Sequence, residues 1–231
     1  MFRFLMGFLR CPEGGKLLLV PFVEAHNKYR NEKEVIEGVL VSKKTGNVFP
    51  IWNGIPRMLP DSIQSNMAFY EKYRPELSKY DIRFDSAEIR RFRRLNRQVK
   101  RTFEFAWKIW GKSERIYGMS QDEYKKHVFA KQSSRKLNDA YFKGKVVFEG
   151  GCGHGLMSQV MSPLCREYIG LDLGNGIDVA RHRSQRLHNV HLIQGDILSI
   201  PVKPNAFDYV YSYGVIHHTP DTHRALSLIH I

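Results

Sequence analysis

The stretch Val146-Val147-Phe148-Glu149-Gly150-Gly151-Cys152-Gly153-His154-Gly155 is an apolar run that empties into closely spaced glycines. Without a Cβ the backbone there can turn tightly and approach a ligand, and a helix expected from about Leu156 adds a helix N-terminus. The Gly151-x-Gly153-x-Gly155 register lacks the lysine of a P-loop, which argues against a triphosphate. Two carboxylates follow, each at the end of a further apolar run. Asp172 stands where a carboxylate accepts both ribose hydroxyls of a nucleoside. Asp196 is placed to accept from an adenine amino group while Ile197 packs on the base. The bland alternatives are a turn carboxylate at Asp172 and a helix cap or turn at Asp196. His217 and His218 follow a fourth run. Imidazole titrates near neutrality, so either is a candidate base or substrate-orienting group, with loop packing as the alternative. His154 is read as part of the ligand shell without acid-base duty, and Cys152 as a small packing residue.

These residues need a scaffold that brings distant strand ends together. The runs Val146–Phe148, Tyr168–Leu171, Val190–Ile193 and Phe207–Tyr211 are separated by helical or turn segments, a spacing that fits βα units building a parallel sheet. Ahead of them, Phe92, Leu95, Val99, Phe103, Ala106, Trp107 and Trp110 recur at three and four, which draws one stripe along a helix from about Arg90 to Trp110. Seven bases lie between Arg90 and Arg101 with no acid. The pattern is that of a solvated face, or of a phosphate-binding one. Ser120-Gln121-Asp122-Glu123 has the form of a capping box and predicts a helix running toward Ala140. Residues 1–60 read as a small β-rich module, with strands at Lys16–Val20 and Gly38–Ser42, a turn at Lys44–Asn47 before Val48–Ile51, and a rigid exit from Asn53 to Pro60. Met1–Leu9 reads as a first strand or a packing segment.

The 231 residues suffice for one sizeable domain and an accessory module. The chain is 42% hydrophobic and 26% charged, and no apolar run reaches the roughly 18 residues of a membrane span. Three cysteines, far apart, offer no disulfide framework and favour a reducing, cytoplasmic setting. The net charge of +13 attracts anions in general and specifies none.

Glu149–Gly155, Leu171-Asp172-Leu173, Gly195-Asp196-Ile197 and Phe207–Asp221, in that order, resemble the successive motifs of class I S-adenosylmethionine-dependent methyltransferases. The nearest branch is that of ubiquinone and menaquinone biosynthesis, and the resemblance spans about residues 144 to 228. It implies an α/β, Rossmann-like sheet. It further implies that Glu149 and the loop of Gly150, Gly151, Cys152, Gly153 and Gly155 hold the methionine end of the cofactor, and that Asp172 with Leu173 holds the ribose. Asp196 and Ile197 would frame the adenine, and Tyr211-Ser212-Tyr213 would line the floor toward the substrate. Tyr211, His217 and His218 are the candidate catalytic residues. The branch commonly has aspartate and alanine where this chain has Glu149 and Gly150, and glutamate preserves the carboxylate.

The first module resembles the zinc-ribbon-like domain of the tRNA-methyltransferase activator family. Cys11 occupies one of the four expected cysteine positions, with Gly14, Ser42 and Thr45 at the others. A tetrahedral zinc site needs four ligands, so a metal-free module is expected. The implied organisation is residues 1–60 as this module, 61–143 as a helical connector with a possible lid over the donor, and 144–231 as the first part of the methyltransferase domain. The family pattern continues past Ile231 with three more strands, so a C-terminally truncated sheet ordered 3-2-1-4 is expected, with its fourth strand at the edge. The expected acceptor is a small organic molecule. An RNA acceptor and an inactive, truncated methyltransferase-like binding protein are the rival readings, and the oligomeric state is left open.

Overall fold

The computed structural model describes residues 1–110, 115, 118–131 and 137–230, with backbone alone at 107, 108, 110, 128 and 131. The N-terminal segment packs, though as a 3₁₀ turn over Arg3–Gly7 and not as a strand, burying Leu5. Strands β1 (Leu17–Asn27), β2 (Glu32–Ser42), β3 (Val48–Trp52) and β4 (Ile55–Pro56) form an antiparallel sheet in that order. The first hairpin runs well beyond the apolar cores read from the sequence. Its outer half, Glu24 to Asn27 against Glu32 to Val35, is largely polar and gave no hydrophobic pattern to read. Asn27 closes it by accepting from the backbone N–H groups of Tyr29 and Arg30. Pro21 is tolerated because β1 is an edge strand with an irregular register beside it.

Helices α1 (Met67–Lys72) and α2 (Arg74–Leu77) cover this sheet, with Phe69, Tyr73 and Leu77 packed on Val39. Helix α3 (Ala87–Trp110) follows. Its buried face holds Ile89, Phe92 and Asn96, whereas Leu95, expected in the stripe, is 44% exposed. Helix α4 (Gln121–Lys131) starts at the capping box: Glu123 Oε2 accepts from the Ser120 N–H at 2.7 Å, and Ser120 Oγ accepts from the Glu123 N–H at 3.3 Å. The continuation expected toward Ala140 crosses residues 132–136, which lie outside the described residues. A short α5 (Asp139–Phe142) leads into the second sheet.

That sheet contains β5 (Val146–Gly150), β6 (Glu167–Asp172), β7 (Val190–Gln194) and β8 (Tyr209–Tyr211), all parallel and ordered β7-β6-β5-β8. Helices α6 (Leu156–Met161) and α7 (Gly176–Arg183) complete the crossovers, and α8 (Thr222–His230) follows β8. The α/β, Rossmann-like architecture and the strand order are those expected. Strands β5 and β7 are buried along their whole length because both sheet faces are covered. On one face Val147, Tyr168 and Leu192 pack with Phe142, Leu156 and Ile177. On the other, Val146, Phe148, Ile169 and Ile193 share a core with Leu5, Leu40, Phe49 and Met58. The N-terminal module therefore covers the second face of the parallel sheet.

Buried polar ties fix that contact. Arg57, 2% exposed, donates to Asp178 of α7 at 2.5 Å and to Gln194 of β7 at 3.2 Å. The Met58 N–H donates to the Gln194 carbonyl at 2.7 Å. Arg30, in the β1–β2 turn, reaches both carboxylate oxygens of Glu167 at 2.9 and 3.0 Å, and Glu167 also meets His191 at 2.8 Å. A bidentate guanidinium–carboxylate pair fixes orientation as well as distance.

Candidate functional site

The glycine loop leaves β5 and bends back under its neighbour. The N–H groups of Gly151 and Cys152 both donate to the Leu171 carbonyl at the end of β6, at 2.7 and 2.9 Å. Gly151, Gly153 and Gly155 all have positive φ, at 86°, 54° and 77°. Side chains would also collide there. A Cβ on Gly151 would lie 2.3 Å from Val215 Cγ2, and one on Gly150 would lie 2.8 Å from Ile197 Cδ1. The loop is bare because adjacent walls already occupy the space a Cβ would take.

Asp172, at the carboxyl end of β6, holds the loop from the other side. Its Oδ2 accepts from the Gly153 N–H and its Oδ1 from the Gly174 N–H, both at 2.8 Å. Burial raises its carboxyl above the ordinary value despite these bonds. Asp196, just beyond β7, accepts from the Leu198 N–H at 2.8 Å, and burial raises it as well, against a smaller opposing effect of Arg224. Both carboxylates thus form local turns, as the bland readings had it, and both also line one cavity.

Glu149, inside β5, is buried among tyrosines. Its Oε2 accepts from Tyr168 Oη and from Tyr211 Oη, the latter at 2.9 Å. Burial pushes its carboxyl up to about 7, and the two hydroxyls oppose that only in part.

The cavity at the carboxyl ends of the parallel strands has a volume of about 490 Å³. Of the residues singled out in the sequence, Glu149, Gly151, Cys152, Gly153, His154, Asp172, Leu173, Asp196, Ile197 and His218 line it. Gly150 and Gly155 build the loop behind its wall, and Tyr211 spends its hydroxyl on Glu149. His217 stacks obliquely on His218 at 3.9 Å between ring centroids and is not in the lining. His218 meets Phe103 edge-on at 5.0 Å, and burial together with His217 lowers its pKa. His154 is held down to about 4 by burial and by Arg183, so it is neutral at physiological pH. Burial raises the Cys152 thiol well above its ordinary value, which suits packing over nucleophilic chemistry.

The connector contributes more than an aromatic stripe. Asn96, Val99, Lys100 and Phe103 of α3 line the cavity, while Phe105 is 67% exposed and stands away from it. The side chains of Trp107 and Trp110 lie outside the described residues. On the opposite side of α3, Arg90, Arg91, Arg94, Arg97 and Arg101 face solvent. Tyr213, expected on the floor of the site, lines the cavity; the residue missed in the sequence is His127, whose Nε2 lies 2.7 Å from the Tyr213 hydroxyl. The i, i+3 spacing of Tyr124 and His127 on one helix face was the only local hint.

In the first module, residues 11, 14, 42 and 45 make local contacts with one another. Cys11 Sγ is 4.0 Å from Thr45 Oγ1, the Gly14 N–H donates to the Cys11 carbonyl, and the Thr45 N–H donates to Ser42 Oγ. Among the described residues no helix is long and apolar enough to cross a membrane.

Residues 148–230 match a family described as a methyltransferase domain. The demethylmenaquinone methyltransferase of Staphylococcus haemolyticus is 34% identical over 56 residues, covering 24% of this chain and 23% of that protein. The corresponding enzyme of Staphylococcus aureus strain Newman is 27% identical over 130 residues, covering 54% and 51%. The chain thus spans at most about half the length of these relatives. Among solved structures, the YcgJ protein of Bacillus subtilis is 28% identical with a TM-score of 0.36, covering 37% of this chain and 38% of that one. A methyltransferase from Aquifex aeolicus is 16% identical with a TM-score of 0.42, covering 53% and 63%. The segment 148–230 is thus similar to methyltransferase domains, and its parallel strands form an α/β, Rossmann-like sheet.

Proposed function

We propose that this protein binds S-adenosylmethionine at the carboxyl ends of β5, β6 and β7 and transfers its methyl group to a small organic acceptor. The observation that carries the reading is the convergence of Glu149, Asp172 and Asp196, from three adjacent parallel strands, on one cavity closed by a glycine loop. A cationic amine at one end and a nucleoside at the other need that set of acceptors. Bound there, the cofactor supplies an electrophilic methyl group on a sulfonium. Asp172 accepts from the ribose hydroxyls, Asp196 and Ile197 frame the base, and Glu149 faces the amine end.

The protein's share of the catalysis is positioning and exclusion of water. Val99 and Phe103 of α3 and Val215 after β8 form apolar cavity wall that shields the reacting centre. The domain assignments follow from this reading. Residues 1–60 form a metal-free supporting module, 61–143 a connector whose α3 serves as one side of the cavity, and 144–231 the cofactor-binding part. The quinone-branch relatives make a hydroxylated ring a reasonable acceptor class.

A thermal unfolding series tests the reading. A ligand present at a hundred times its dissociation constant stabilises by about 2.7 kcal/mol, which raises the midpoint of a protein this size by roughly 5–10 °C. S-adenosylmethionine and S-adenosylhomocysteine are expected to give that rise, and NAD or ATP none. Equal shifts with all four, or none with the first two, would sink it.

A further inference from the structure

We infer that Tyr213 is the proton acceptor for a hydroxyl-bearing methyl acceptor, with His127 as the positioning residue that takes the proton on. The inference rests on the proposed cofactor site and adds to it the acceptor class and the base. Tyr213 lies two residues beyond Tyr211, and the two hydroxyls have different partners. That of Tyr211 donates to the Glu149 carboxylate, while that of Tyr213 meets the Nε2 of His127 at 2.7 Å. In the tautomer that leaves Nε2 bare, the phenol donates to it, and its lone pairs stay available to accept a proton from a molecule in the cavity. Buried Tyr124 and His127, both on α4, meet the Tyr213 ring edge-on at 6.0 Å each and fix its plane. His218, the base suggested by position alone, instead packs against Phe103.

The step balances. The acceptor oxygen forms the O–CH₃ bond, and the electron pair of the breaking C–S bond stays on sulfur, which becomes a neutral thioether. The acceptor's proton goes to Tyr213 Oη as that group's own proton moves to His127 Nε2. The positive charge that leaves sulfur is matched by an imidazolium, and His127, only partly buried, releases its proton to water. An amine acceptor has no use for the relay, since it attacks with a lone pair it already carries.

The test needs no turnover and no knowledge of the natural acceptor. The full chain is loaded with S-adenosylhomocysteine and titrated with 4-nitrophenol, whose phenolate absorbs visible light. Besides Tyr213 with its partner His127, the ionisable groups on the cavity wall are Tyr124, the carboxylates Glu149, Asp172 and Asp196, the bases Lys100 and Arg115, the imidazoles His154 and His218, and the Cys152 thiol. All of them are unchanged in the variants used. In the wild type the bound phenol is expected to ionise at least about one pH unit below the free one, a tenfold shift in that equilibrium. Tyr213→Phe and His127→Gln should both retain S-adenosylhomocysteine affinity and lose the shift. An identical ionisation profile in wild type and Tyr213→Phe, or no saturable nitrophenol binding by protein that does bind S-adenosylhomocysteine, overturns this inference alone. Failure to bind S-adenosylhomocysteine overturns the cofactor site and this inference with it.

Discussion

Replacing Glu149 with glutamine is expected to leave stability almost unchanged at pH 4 and to raise it by about 3 kcal/mol at pH 8. The carboxyl titrates near 4.5 when free and near 7 in the fold, where burial outweighs the two tyrosine hydroxyls. With the folded value raised, the native state holds the proton longer than the unfolded chain does. The contribution of this group is therefore fully present below pH 4.5 and is lost as pH rises through 7. Glutamine keeps an oxygen for Tyr168 and Tyr211 and never ionises. Two other buried groups titrate in the same window with the opposite sign. His154 is lowered to about 4 and the Met1 amine to about 5, so their contributions are lost as pH falls below their unfolded values. Both are shared by the two proteins, so the quantity to follow is the difference in urea-unfolding free energy from pH 4 to pH 8. A difference that stays flat across that range would show that Glu149 is already ionised in the fold.

Gly155→Ala is expected to lower stability by roughly 2–5 kcal/mol, combining left-handed backbone strain with overpacking. Gly155 caps α6 with φ at 77°, and an added Cβ would lie 2.6 Å from the Cβ and 2.8 Å from the Cα of Ala180. Ala180 is in the middle of α7 and has no rotamer with which to escape. Gly46→Ala serves as the control for backbone strain alone. Its φ is 76°, and nothing lies within 4 Å of an added Cβ. Chemical unfolding of the two variants separates the effects: the Gly46 variant should lose only about 1 kcal/mol, close to the strain of one residue. Equal losses would mean that α6 and α7 move apart freely at this point.

The parallel sheet was legible because strands buried on both faces leave continuous apolar runs, and because the first three lead into glycine or a carboxylate. The sheet order and the gathering of Glu149, Asp172 and Asp196 were expected from the resemblance to class I methyltransferases and not from the runs themselves. What covers the sheet's second face was not legible. Leu40, Phe49 and Met58 read as the private core of a small module, and no periodicity shows that they also serve Phe148 and Ile193. Arg57 illustrates the same gap: in sequence it is one base after a proline, and only the fold surrounds it with Asp178 and Gln194. In α3 the spacing placed Leu95 in the buried stripe, but tertiary packing chose Asn96, which satisfies its own amide on the Phe92 carbonyl at 3.1 Å. The pairing of Tyr213 with His127 was hidden for a related reason. His217 and His218 were conspicuous next to a strand end, whereas His127 and Tyr213 are 86 residues apart and meet only when α4 folds over the cavity.

Calorimetric titration of the wild type and Asp172→Ala with S-adenosylmethionine tests the cofactor site most directly. In the proposed site Asp172 would provide charged acceptors for a ribose, and it anchors the N–H groups of Gly153 and Gly174. Hydrogen bonds to a charged group contribute about 1.5–3 kcal/mol each, so the variant should bind at least ~100-fold more weakly. Saturable binding by the wild type, lost in a variant whose circular dichroism shows it folded, is the predicted result. Heat of binding that is the same in both proteins, or no binding by folded wild type, would contradict a cofactor site at the ends of these strands.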